Sequence, residues 1–188
     1  MKKVSKRSVI QGQDFQWPIL PTSVDTSSGP IQFVCGAVTV KVSGGKDLMI
    51  EGSICGDRPD LPVNFASGDI LIGSGWIEKD FTDAIRIEFD PPVSAAGVQY
   101  AINSRVNNIE FTAIMRVSAD SITPEDKSNN KGVTNDRFDD PANAAIFLGV
   151  KAEGNERIKV IRVDVKPRGR TVSSEILGFF INSLRIQP

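Results

Sequence analysis

Between Ala84 and Val117 the chain reads AIRIEFDPPVSAAGVQYAINSRVNNIEFTAIMRV, and apolar side chains recur there mostly at every second position. A period of two puts successive side chains on opposite faces of an extended backbone, so the stretch is confined to strands with one buried and one wetted face. In the first strand Ile85, Ile87 and Phe89 share the buried face, and Arg86 and Glu88 share the wetted one. Asp90-Pro91-Pro92 is expected to end it, because proline donates no ladder hydrogen bond and disfavours the helical region for the residue before it. In the second strand Val98, Tyr100 and Ile102 face inward, and Asn103-Ser104 is expected to stop it. The third puts Ile109, Phe111, Ala113, Met115 and Val117 inside and Glu110, Thr112 and Arg116 outside. Ile114 interrupts the polar face, which implies cover on both sides of that strand.

The same reading extends along the rest of the chain. Residues 1–30 are polar and turn-rich around an apolar island of Phe15, Trp17, Ile19 and Leu20, and are expected to form an arm whose aromatic pair docks on the body. Phe33 to Ile54 is predicted to be one hairpin, with Val34, Val38, Val40 and Val42 alternating up to Ser43-Gly44-Gly45-Lys46-Asp47 and Leu48, Ile50 and Ile54 alternating away. A short buried strand is expected after Phe65, before Trp76. Ser118 to Asn143, rich in Asp, Asn, Ser and Lys, is expected to be a mobile loop, since it cannot bury enough apolar surface to pack. Ala144 to Val150 is an unbroken apolar run of strand length, and so a strand covered on both faces. From Arg157 to Val165 the alternation slips between Val160 and Ile161, where one extra residue, a β-bulge, is expected. In the last strand Ile176, Phe180, Leu184 and Ile186 are predicted to share a face.

No segment keeps a helical period long enough to form a helix. Strands recurring between turn signals point to an all-β chain, an antiparallel β-sandwich of jelly-roll type. The 188 residues suit one sandwich domain over residues 31–188 with the arm of residues 1–30 packed against it.

Four stretches then resemble a known group in their order: NFASGDILIGSGW, IRIEFDPPVSAAGVQY, AAIFLGV and GFFINSLRI. Together they are similar to bacterial all-β domains common in exported PEP-CTERM proteins, which carry a Pro-Glu-Pro C-terminal sorting signal. The match spans Asn64 to Ile186, with Asn182-Ser183 standing where an Asp-Asn pair is usual. What the resemblance implies is a lectin-like sandwich, a shape often used to bind glycans, and a secreted or cell-surface location. The sequence as given carries neither a sustained apolar run after its basic start, MKKVSKRS, nor a sorting tail, and on that reading alone a cytoplasmic location is expected. No stretch approaches the roughly 18 consecutive apolar residues of a membrane-spanning helix, so no membrane insertion is expected.

Composition narrows the chemistry. The chain contains no histidine, which closes Ser-His-Asp and Cys-His catalysis and histidine-ligated metals together. It has no phosphate-binding glycine loop, and with two cysteines it cannot build a four-thiolate site. No cofactor is expected. A net charge of −1 gives no global field to draw nucleic acid, and no basic stretch interleaved with aromatics offers base stacking, so nucleic acid is not expected as a partner. A pair of carboxylates acting on a glycosidic bond stays open, and 23 acidic residues nominate no particular pair.

Three features are candidates for binding. Trp76, following Gly73-Ser74-Gly75, is either a platform for a sugar ring or a plug sealing the end of the sandwich. Arg168 and Arg170 either grip an anion or belong to a solvated turn. Asp136, Asp139 and Asp140 are calcium-type ligands without the spacing of a calcium loop, and a solvated loop is the plainer reading. Cys35 and Cys55 flank the predicted hairpin turn, and if Val42 faces Leu48 they stand opposite each other at a separation a disulfide can span. The alternative is two unrelated small apolar residues. The expected function is a non-catalytic module binding a glycan or protein surface ligand through loops at one end. A structural module making protein-protein contacts is the second reading and a histidine-free glycosidase the third; the pattern leaves the oligomeric state open.

Overall fold

The computed structural model describes residues 1–21, 23–44, 49–54, 65, 67–74, 85–104, 110–119, 126–133, 145–167 and 176–188. Among these the chain forms strands β1 (Lys2–Val4), β2 (Gln13–Phe15), β3 (Val24–Asp25), β4 (Ile31–Cys35), β5 (Val38–Ser43), β6 (Met49–Ile54) and β7 (Ile70–Gly73). There follow β8 (Ile85–Val93), β9 (Ala95–Ser104), β10 (Glu110–Ser118), β11 (Asp126–Val133), β12 (Ile146–Lys151), β13 (Ile158–Pro167) and β14 (Ile176–Gln187). The helical element among the described residues is one 3-10 turn, Arg7–Val9.

The strands make an antiparallel β-sandwich. The larger sheet runs β1-β12-β9-β14-β7-β6-β3, with β2 beside the far half of β14, and the smaller runs β11-β10-β13-β8-β5-β4. Period-two alternation builds the core between them. Val38, Val40 and Val42 of β5 and Ile85, Ile87 and Phe89 of β8 point in from the smaller sheet. Val98, Tyr100 and Ile102 of β9, with Phe179 and Ile181 of β14, meet them from the larger. Tyr100 crosses this layer, and its Oη donates to the Ile114 carbonyl of β10 at 3.3 Å. Burial, and secondarily the Asp164 charge, push the Tyr100 hydroxyl well above its usual range. The inward faces predicted for β8, β9 and β10 are the ones observed, with Ile109 lying outside the described residues, and Ile114, on the other face of β10, is 7 % exposed. The covered strand expected after Ala144 is β12, paired by β1 and β9 and apolar on both faces.

Residues 1–25 are woven into the larger sheet, β1 on β12, β2 on β14 and β3 on β6. Trp17 is 1 % exposed, and its ring meets those of Phe15 and Phe33 edge-on while those two stack on each other. An ionic clasp fixes the arm: Asp14 accepts from Arg7 and from Arg185 of β14, and Arg185 also reaches the Ile10 carbonyl.

Several expectations are corrected. Phe33–Ile54 is not one hairpin: β4 and β5 form the hairpin, turning at Gly36-Ala37, while β6 pairs with β3 and β7 in the opposite sheet. Gly36 takes φ +61°, a left-handed conformation that glycine adopts without steric cost, so the two-residue turn prevails over the longer glycine-rich one. The prolines do not end β8. The β13 register shifts between Ile158 and Val160, and the β5 pairing stops at Asp90, so Pro91 and Pro92 sit where no regular ladder demands their donor. The bulge expected in β13 between Val160 and Ile161 is not there: the ladder is continuous at that point, and the register shifts between Ile158 and Val160, where β8 contributes the surplus residues from Glu88 to Val93. Part of the expected loop at Ser118–Asn143 is strand: β11 pairs with β10 from Glu110↔Val133 to Val117↔Asp126. An edge strand is held by backbone bonds on one side and needs no apolar alternation. In β14, shifts at Ile176/Gly178 and Asn182/Leu184 change parity, so Phe179 and Ile181 join Leu184 and Ile186 inside, and Phe180 faces out.

Candidate functional site

The outward positions of the smaller sheet carry the chemistry. In β8, β10 and β13 the residues between inward-facing ones are Arg86, Arg116 and Arg162, and pairing puts Arg86 opposite Arg162 and Arg162 opposite Arg116. The row continues to Ser43 on β5, and the register places Lys127 of β11 opposite Arg116. Three guanidinium groups thus start from neighbouring strands at spacings of about 4.8 Å. Among the described side chains this face presents six basic groups, Lys41, Arg86, Arg116, Lys159, Arg162 and Lys166, against the acids Glu88, Asp90 and Asp164. The chain's net charge of −1 conceals that local excess.

Directly opposed like charges destabilise a sheet, so the row needs counter-charges. Glu88 is placed two residues from Arg86 on the same face and pairs with it at 2.9 Å, while also approaching Lys159 at 3.8 Å. Asp164, 3 % exposed beneath the row, lies 3.9 Å from Arg116 and accepts the Val165 backbone N–H at 2.8 Å. These acids sit beside and below the guanidinium groups and leave a partly exposed basic surface. The arginine fork donates in a plane and matches a carboxylate or sulfate bidentately.

Among the residues singled out from sequence, Cys35 is described: it is buried at the end of β4, where its inward neighbours raise the thiol above its usual range and so keep it a poor thiolate. The register that set it opposite Cys55 is overturned, because β5 pairs with β4 and β8 rather than β6, and Cys35 faces Val38. Cys55 itself, with Trp76, Arg168, Arg170, Asp136, Asp139 and Asp140, lies outside the described residues. Arg86 and Arg116 were legible as outward residues of their strands, but Arg162 and the alignment of all three were not.

No family model matches the chain, and no curated protein matches it in sequence. In structure it is similar to a DUF4465 family protein from Bacteroides caccae whose crystal structure is known, at 8% sequence identity and a TM-score of 0.50, with 100% of each chain covered. At that identity the likeness is one of fold.

Proposed function

We propose that this protein is a non-catalytic, lectin-like β-sandwich that binds an anionic glycan across the outer face of its smaller sheet. The carrying observation is the arginine row, in which three like charges stand directly opposite one another on neighbouring strands and stay partly exposed beside their counter-charges. A bound polyanion converts that repulsion into attraction. A small molecule takes a concave site, whereas a row of charges running across several strands is matched by an extended polymer. The lack of histidine supports binding over catalysis. The order of the strands supports a jelly-roll, lectin-like reading: from β7 to β14 the chain changes sheet at each step except between β10 and β11, which pair directly. The ordered resemblance to PEP-CTERM-associated domains favours a glycan over other anions, and Trp76, Arg168 and Arg170, singled out from the sequence, are proposed as further contacts.

Isothermal titration with polygalacturonate, with neutral dextran as control, tests the reading. Polygalacturonate is expected to bind, more weakly as salt rises, and the triple variant R86Q/R116Q/R162Q is expected to lose at least about tenfold in affinity, or 1.4 kcal/mol, with its fold intact by circular dichroism. Equal binding of dextran, salt-independent binding, unchanged affinity in the triple variant, or capture of single-stranded DNA without polygalacturonate would each overturn it.

A further inference from the structure

Among the described residues the smaller sheet ends on one side in β4, whose five residues Ile31, Gln32, Phe33, Val34 and Cys35 include no charge, proline or glycine. Proteins blunt exposed sheet edges with charge, proline, bulges or very short strands. The other described edges follow that practice. β11 carries Asp126, Lys127 and Lys131 in its sequence, β1 is three residues with two lysines, and β3 is two residues ending in Asp25. β4 instead leaves Val34 69 % exposed and Phe33 half-buried beside it.

The phase of the β4–β5 hairpin decides which backbone groups are free. Its two-residue turn closes on Cys35↔Val38, so Cys35, Phe33 and Ile31 direct their N–H and C=O groups to β5, and the alternation turns those of Gln32 and Val34 to the open edge. Two donors and two acceptors are presented there, separated by Phe33.

We infer that β4 pairs antiparallel with β4 of a second copy about a two-fold axis at Phe33. That register is the one in which Gln32 of each copy meets Val34 of its partner as a hydrogen-bonded pair, and all four free groups on each edge are satisfied. It sets the two Phe33 residues opposite each other in the closer, non-hydrogen-bonded type of pair, each ring held by its own stack on Phe15 and edge contact with Trp17. An uncharged strand meets its own copy without repulsion, which is the condition a self-pairing edge must satisfy and a charged one fails. The interface is isologous, so it closes at two copies rather than growing into a fibre.

Electrostatics does not oppose the dimer. Between Arg86 of one copy and Arg86 of the other lie β5 and β4 of each, five strand spacings or about 24 Å. The screening length is about 8 Å at physiological salt. The two-fold axis stands perpendicular to the sheet, so both arginine rows face the same way on one continuous sheet. A five-residue pairing buries less than a standard interface of about 1,600 Å², and the dimer is accordingly weak and concentration-dependent.

Sedimentation equilibrium of the whole chain over a concentration series is the test, with circular dichroism confirming the fold of each variant. The natural chain is expected to move from monomer to dimer, and Val34→Lys to weaken the dimer by about tenfold or more. The double variant Q32E/V34K sets each Lys opposite a Glu of the partner in this register, and is expected to restore dimerisation. A natural chain that stays monomeric throughout, a V34K protein that dimerises as before, or a double variant no better than V34K would overturn the inference. None of these readings depends on polyanion binding, so this inference and the proposed function fail separately.

Discussion

On the larger sheet the outward positions of β9, β12 and β14 hold Ala95, Ala101, Phe147 and Phe180, all buried. On the smaller sheet the corresponding positions of β8, β10 and β13 hold Arg86, Arg116 and Arg162, all partly exposed. The larger sheet's outer face is roofed by the chain itself. Ile10, just past the 3-10 turn, joins Val4, Ala95 and Phe147, and Phe65 joins Leu71, Ala101, Ala145 and Phe180. Gly97 makes the roof possible, for a Cβ there would lie 2.3 Å from the tip of the Phe147 ring. One face is thus buried throughout, while the other keeps a partly exposed basic row beside the buried Ile114 and Asp164, so mutations of Phe180 and of the arginines should separate into loss of folding and loss of binding.

The largest expected effect lies on the roofed face. Phe180→Ala should cost about 3–5 kcal/mol in urea unfolding, as deletion of a buried aromatic does, and leave polyanion affinity unchanged in the folded fraction. A cost below about 0.5 kcal/mol, the usual range for surface sites, would mean the roof is loose and the contrast between faces is lost.

Next comes Tyr100, which ties the two sheets together. Because its folded pKa is raised, its contribution is fully present below the unfolded tyrosine value of about 10 and is lost as pH climbs above it. Tyr100→Phe should cost about 0.5–1.5 kcal/mol at neutral pH, for the hydrogen bond to Ile114, and should flatten the alkaline fall in stability. Melting curves from pH 8 to 11 read both, and an alkaline limb unchanged in the variant would assign it to other groups.

The smallest effect is the most discriminating. Arg162→Gln removes the middle member of the row and is expected to shift stability by no more than about 0.5 kcal/mol, the usual range for a partly exposed surface site. Polyanion affinity should fall at the same time. A larger loss of stability in R162Q would instead mark the row as a structural ion network.

Faces were readable in the sequence where alternation is strict. The inward sides of β8, β9 and β10 follow from parity alone, because a one-residue error would expose every apolar side chain. Partners were not readable in the same way. The valines of β5 say that one side is buried but not that β4 and β8 flank it, and Gly36-Ala37 is a weaker turn signal than Ser43-Gly44-Gly45. β11 has no apolar pattern to find, and the two shifts in β14 invert parity without leaving a mark beyond Phe179-Phe180-Ile181 being apolar throughout. The arginine row needs the most long-range information, since Arg86, Arg116 and Arg162 align only once the β13 shift near Val160 is known.

The weaving of residues 1–25 also sets a timetable. β1 and β2 leave the ribosome ahead of the other strands, yet their partners β12 and β14 lie far along the chain. At about 5–20 residues per second, the earliest strands wait on the order of ten seconds for the strands they pair with. Until β14 arrives, β9 lacks its neighbour in the middle of the larger sheet and Phe15 and Trp17 have no finished interior to enter. Nascent chains stalled just before β14 should therefore be digested by protease throughout, whereas chains extended past it should become resistant in one step.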